Sequence, residues 1–153
     1  MKISDFISVN SVIPALVSRE KDAALAELAA GLAAKCDHLD PEKVLGVLQE
    51  RERISSTAIG DGVAIPHGKL PGLDRIYGVF ARSQAGIDFK SLDGEPTHLF
   101  FVLIAPENAA ADHLKALARI SRLLKDAAFR QRLMIGQNQQ QLFELISEED
   151  DRL

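Results

Sequence analysis

Apolar residues recur at two different periods along this chain, and the change of period marks out its elements. Near the N-terminus Leu25, Leu28, Ala29, Leu32 and Cys36 fall three or four apart, the spacing of one helix face. Ser18 reads as the N-cap of that helix, with Glu20 and Asp22 suited to its first turn. Asp40-Pro41 opens a second helix by the cap-then-proline rule, and Val44, Leu45, Val47 and Leu48 form its apolar stripe. This helix runs out near Arg51 and Arg53 in "QERERIS". The middle of the chain is strand-like. Ile76–Ser83 is rich in β-formers, and His98–Ala105 is a continuous apolar run between Pro96 and Pro106, as in a strand buried on both faces. Turn residues around Asp93-Gly94 separate the two, and Ala64-Ile65 reads as a very short further strand. Helical spacing returns from about Ala109, placing His113, Leu117, Ile120, Ser121 and Leu124 on one face. Asp126 is expected to cap a short helix through Leu133, Asn138 with Gln141 resembles a capping box, and "SEEDDRL" reads as a solvated acidic tail.

Helices at both ends of a strand-rich middle predict one α/β domain over residues 1–153, with no internal repeat or linker. Composition adds little to that frame. A hydrophobic share of 46% and a charged share of 26% are ordinary for a globular protein. The net charge of −4 argues against nucleic-acid or anionic-membrane partners, which call for a basic face. Cys36 is the one cysteine, so no intramolecular disulfide forms. The N-terminus lacks the apolar run of a signal peptide, and Leu99 to Pro106 is too short to span a bilayer. The expectation is a cytoplasmic protein.

The chemistry concentrates in "STAIGDGVAIPHGKL", Ser56 to Leu70. A Walker A loop would need a glycine where Val63 stands and Ser or Thr where Leu70 stands, and a dinucleotide fingerprint would need glycine at position 65. His38, His67, His98 and His113 form no metal-binding pair at i+3 or i+4, and no CxxC or HExxH occurs. No GxSxG elbow accompanies Ser55, Ser56 and Thr57, whose expected role is turn or cap hydrogen bonding. What remains is His67 as the reacting group, an imidazole nucleophile able to carry a phosphoryl group. Pro66 and Gly68 would mount the ring, while Arg51 and His113 are the candidates to meet phosphoryl charge and fix the ring. Each also has a plain alternative: Arg51 a solvated helix-end charge, His113 a core histidine, His67 a turn residue. Gly60, Gly62 and Gly68 suit backbone geometry, His38 a loop, His98 a strand boundary, and Phe100, Phe101 and Leu103 the core.

"RERISSTAIGDGVAIPHGK" resembles the active-site segment of phosphotransferase-system enzyme IIA domains of the mannitol/fructose class, most of all the stand-alone nitrogen-regulatory members. The matching positions are Arg51, Ser56-Thr57, Gly60 and Ile65-Pro66-His67-Gly68, with His113-Leu114 as the second signature. The resemblance extends from "ISDFIS" to "ELI". It implies a mixed β-sheet flanked by helices and a phosphotransferase of a phosphoenolpyruvate-dependent relay. His67 would accept the phosphoryl group at Nε2 from a phosphorylated HPr-like carrier, His113 would steady the ring or the phosphoryl group, and Arg51 would supply positive charge. Arg51 against Arg53 stays open, with Arg51 favoured. No metal and no cofactor is implied. With no IIB or membrane IIC region attached, a nitrogen-linked regulator acting on target proteins is expected; a sugar-transport subunit passing the group to a IIB domain, and a binding-only module, are the alternatives.

Overall fold

The computed structural model describes residues 1–34, 36 and 39–153; the expected loop position of His38 lies outside them. The elements in chain order are β1 (Val12–Ile13), α1 (Lys21–Ala33), α2 (Pro41–Ile54), β2 (Ala58–Gly60), β3 (Val63–Ala64), β4 (His67–Lys69), β5 (Tyr77–Ile87), β6 (Thr97–Ala105), α3 (Ala110–Leu123), α4 (Ala127–Ile135) and α5 (Gln139–Asp151). Two single 3₁₀ turns, Ile3–Asp5 and Val9–Ser11, precede β1.

The apolar run of β6 is the axis of the sheet. Alternation along it is complete: Phe100, Val102 and Ile104 face one core, Leu99, Phe101, Leu103 and Ala105 the other. The first core is closed by α1 and α2 through Leu25, Leu28, Leu32, Val44 and Leu48. The second is closed by α3, α4 and α5 through Ile120, Phe129, Leu133, Leu142 and Ile146. The result is the expected mixed α/β domain, a six-stranded sheet between two helical layers. On one edge β6 pairs antiparallel with β5, which pairs parallel with β1. On its other edge β6 carries two short parallel segments in succession, β3 opposite Leu99 and Phe100, then β4 opposite Leu103 to Ala105. β2 pairs antiparallel with β3, through a turn with positive φ at Gly60, Asp61 and Gly62. Pro66, which has no N–H, stands in the gap between β3 and β4 and still accepts the Leu103 N–H at 3.0 Å.

Several expectations change. Ser18 is not a helix cap: α1 begins at Lys21 behind Glu20, and the Ser18 hydroxyl instead donates to Glu27 at 2.7 Å. Glu20 is held extended by its bridge to Asp88, which moves the helix start along the chain. Cys36 lies past the end of α1 but is buried, as its spacing suggested. The β-rich run extends to Ile87, further than Ser83. The short strand is Val63–Ala64, one residue earlier than Ala64-Ile65. Ser121 is exposed on α3, whose buried side is His113, Ala116, Ile120 and Leu123. His98 is the second residue of β6, its Nδ1–H donating to the Ser83 carbonyl at 2.9 Å. The acidic tail is not a solvated tail either. α5 runs through it to Asp151, and Asp150, 2% exposed, pairs with Arg119 and accepts the Ile3 N–H at 2.8 Å. The caps at Asp40, Asp126 and Asn138 accept the N–H groups of Glu42, Ala128 and Gln141 as expected. Gln141 reaches back to the Gln137 N–H, at 2.6 Å, so the box at Asn138 closes one residue early. No helix among the described residues is long and apolar enough to cross a membrane.

Candidate active site

β4 is too short and too polar to show in a hydrophobicity pattern; it exists because β6 offers an unpaired edge just beyond Pro66. The edge fixes the backbone of His67 opposite Leu103. Gly68 is needed for space and not for a left-handed backbone. A Cβ there would stand 2.2 Å from Val47 Cγ1, so α2 packs directly onto β4. That close approach brings the last turn of α2, with Arg51, beside the histidine.

The imidazole itself is oriented locally. Nδ1 of His67 lies 2.7 Å from the carbonyl oxygen of Ile65. A carbonyl only accepts, so Nδ1 carries the proton and Nε2 keeps the lone pair. The ring is half-buried, and burial, assisted by the charge of Arg51, holds its pKa below the ordinary 6.5 despite the Ile65 bond and the charge of Glu52. It is therefore neutral near pH 7.

His113 reaches the same place from α3. The two rings stand edge to face, 5.4 Å between centroids at an interplanar angle of 79°. Burial, with the nearby His67 and Lys69, pulls the His113 pKa down to about 4. Its Nε2 is buried and meets no hydrogen-bond partner among the described residues. Arg51, His67, His113 and Lys69 line one groove of about 570 Å³, and its apolar rim includes Ile54, 79% exposed, and Leu114, 68% exposed.

The arginine alternatives separate in space. Arg51 lines the His67 groove, one guanidinium nitrogen donating to the Ser55 carbonyl at 3.0 Å. Arg53 borders a different groove and pairs with Glu50 at 2.6 Å. Ser56 and Thr57 do bond locally, Ser56 to the Ala58 N–H and Thr57 to Glu52. Lys69 adjoins the matching motif in sequence without an expected catalytic role, whereas Glu50 and Glu52 have no expected place near the site. Lys69 and Glu50 are on the wall, and Glu52, next to Arg51 in sequence, is buried and borders the Arg53 groove instead. A carboxylate in the last turn of a helix opposes the helix dipole, and this misplacement is the signal that would have singled out Glu52. Among the described residues no group of three His, Cys, Asp or Glu side chains is placed to hold a metal ion.

A neutral imidazole with one nitrogen engaged and one free, a second imidazole and two cations, with Glu50 on the same wall held by Arg53, form a site suited to covalent transfer of an anionic group. Comparison with known proteins gives the same direction. The chain is 47% identical over 147 residues to a nitrogen regulatory protein of Bradyrhizobium diazoefficiens, covering 96% of this chain and 95% of that protein. It is 33% identical over 150 residues to the fructose-specific EIIABC component of a PTS system in Bacillus subtilis, 98% of this chain but 24% of that longer protein. The crystal structure of nitrogen regulatory protein IIA-Ntr from Neisseria meningitidis superposes with a TM-score of 0.88 at 28% identity, covering 94% of this chain and 98% of that one. Residues 5–149 match the family model of the phosphoenolpyruvate-dependent sugar phosphotransferase system, EIIA 2, and the chain belongs to that family.

Proposed function

We propose that this protein accepts a phosphoryl group on Nε2 of His67 from a phosphorylated HPr-like carrier and acts mainly as a nitrogen-linked regulator. The observation that carries the reading is the bond from His67 Nδ1 to the Ile65 carbonyl, which leaves Nε2 as the nucleophile. Nε2 attacks phosphorus, the bond between phosphorus and the carrier breaks, and the carrier leaves with that electron pair. Nδ1 keeps its proton, so the product ring bears positive charge, which the Ile65 carbonyl dipole offsets. Arg51 and Lys69 neutralise charge spread over the phosphoryl oxygens, and an Nε2–H on His113 would find in one of them the partner it lacks. The exposed Ile54 and Leu114 give the carrier an apolar rim to seat on.

The 47% identity to a nitrogen regulatory protein over nearly its whole length favours regulation. Transport is the second reading, supported by the 33% identity to a fructose-specific component. The test supplies phosphoenolpyruvate, enzyme I and an HPr-type carrier and follows intact mass. An acid-labile gain of one phosphoryl group supports the reading; an unlabelled wild type with its cognate carrier overturns it and leaves a binding-only module. Rapid onward transfer to a IIB domain would instead favour transport.

Three variants divide the roles. Arg51→Ala should slow acceptance roughly 10²-fold, as losing one preorganised charge donor does elsewhere, while Arg53→Ala stays within about twofold. Quenched-flow labelling separates these, and equal losses would reject Arg51 as the site cation. His113→Ala should slow transfer about tenfold with the far-ultraviolet circular dichroism retained. An unfolded His113→Ala protein would show that the ring serves the core.

A further inference from the structure

Glu52 is 9% exposed, and a carboxylate so buried at the electrostatically unfavourable end of a helix requires strong compensation. It receives three partners. The Thr57 N–H donates to one oxygen at 3.0 Å, the Thr57 hydroxyl donates to the other, and the Lys21 ammonium lies 3.0 Å away. Lys21 is the first residue of α1 and also stands over the Phe89 ring, 4.9 Å from its centroid. Glu52 thus joins the last turn of α2, the chain reversal into β2 and the start of α1.

The adjacent Arg51 grips that same reversal from the groove side, through the Ser55 carbonyl. Ser56, between the two grips, donates to the Phe89 carbonyl at 3.1 Å. The segment from residue 55 to 57 is therefore held from the core by Glu52 and from the groove by Arg51. A long cationic side chain at a helix end would otherwise sample many rotamers, and ordering it costs free energy at the moment of reaction.

We propose that Glu52 is a positioning residue for phosphoryl acceptance, its buried carboxylate fixing the turn against which Arg51 is aimed into the His67 groove. The proposal rests on the phosphotransfer reading of His67. The charged or titratable groups around His67 are Arg51, Glu50 and Glu52 from α2, Lys69 from β4 and His113 from α3. Of these, Arg51 lowers the affinity of the ring for a proton and Glu52 raises it.

The test measures phosphoryl acceptance in Glu52→Gln, Arg51→Ala and the double variant, with the His67 ring titrated by NMR. Gln retains the shape and an acceptor for Thr57 but not the charge. Glu52→Gln should lose roughly ten- to a hundredfold in rate while costing less than about twofold in the Arg51→Ala background. Its His67 midpoint should move to lower pH. Equal losses in both backgrounds, or a wild-type rate in Glu52→Gln, would overturn the proposal. If Glu52→Gln does not fold, Thr57→Val, which removes the hydroxyl donor alone, should show the same non-additive loss, and additivity there is equally fatal. A wild type that accepts no phosphoryl group overturns the phosphotransfer reading beneath both, a result distinct from labelled wild type with unaltered variants.

Discussion

Replacing His67 with Gln should abolish the acid-labile phosphoryl group, lowering acceptance by more than about 10³-fold while the fold persists. The amide can still donate to the Ile65 carbonyl, but it offers no imidazole lone pair on the opposite side of the ring position. Half-buried on a three-residue edge strand, position 67 contributes little to either core, so stability should change by no more than about 1 kcal/mol. His113 is not expected to substitute, because in the proposed role its buried Nε2 carries the proton offered to a phosphoryl oxygen and so has no lone pair for attack. Stoichiometric label surviving in His67→Gln would transfer the role to another residue and sink the assignment. The titration of wild-type His67 gives a companion result. Its pKa lies below 6.5, so the neutral, nucleophilic ring persists as pH falls to 6.5 and is lost on protonation below it. An NMR midpoint above 6.5 would contradict this.

The parts of this molecule legible in sequence are those whose cause is local. β6 is legible because eight consecutive residues are compatible with burial on both faces. The caps at Asp40, Asp126 and Asn138 are legible because donor and acceptor lie within three residues. The position of His67 was legible only as a motif, since "HGK" carries no strand signal and β4 forms through the edge of β6. Charged residues with distant partners were illegible. "SEEDDRL" looks like tail until Arg119 and the Ile3 N–H are brought to Asp150 from 31 and 147 residues away. Glu52 looks like one more charge in "RER" until Thr57 and Lys21 close around it. Ser18 failed as a cap for the opposite reason: a competing acceptor, Glu27, lay within reach and took its hydroxyl.

Arg82 is the extreme of that class, and Arg82→Met should be the most damaging of the stability changes considered. In β5 it is 5% exposed, and among the described residues no carboxylate accompanies it in its bonds. Its guanidinium donates to the carbonyls of Pro14 at 3.0 Å, Leu133 at 2.8 Å and Gly136 at 2.5 Å, with Met134 at 3.4 Å. Leu133 and Met134 belong to the last turn of α4, where carbonyls have no partner within the helix and the dipole favours a cation. One side chain therefore terminates α4, fixes the turn into α5 and holds the chain after β1. Met matches the length but donates nothing, leaving buried acceptors that each cost about 1–3 kcal/mol when unpaired. With part of that loss recovered by local relaxation, the expected destabilisation is about 3–5 kcal/mol, a fall in Tm of roughly 10 °C for a chain of this size. Arg82→Lys should restore less than half of it, because a single ammonium does not span carbonyls arranged for a planar fork. Scanning calorimetry reads both values. A Tm within about 2 °C of wild type for Arg82→Met would mean these carbonyls do not depend on the guanidinium. Labelling at His67 in the folded variant should be unchanged, since β4 registers with Leu103 opposite Gly78, four residues along β5 from Arg82.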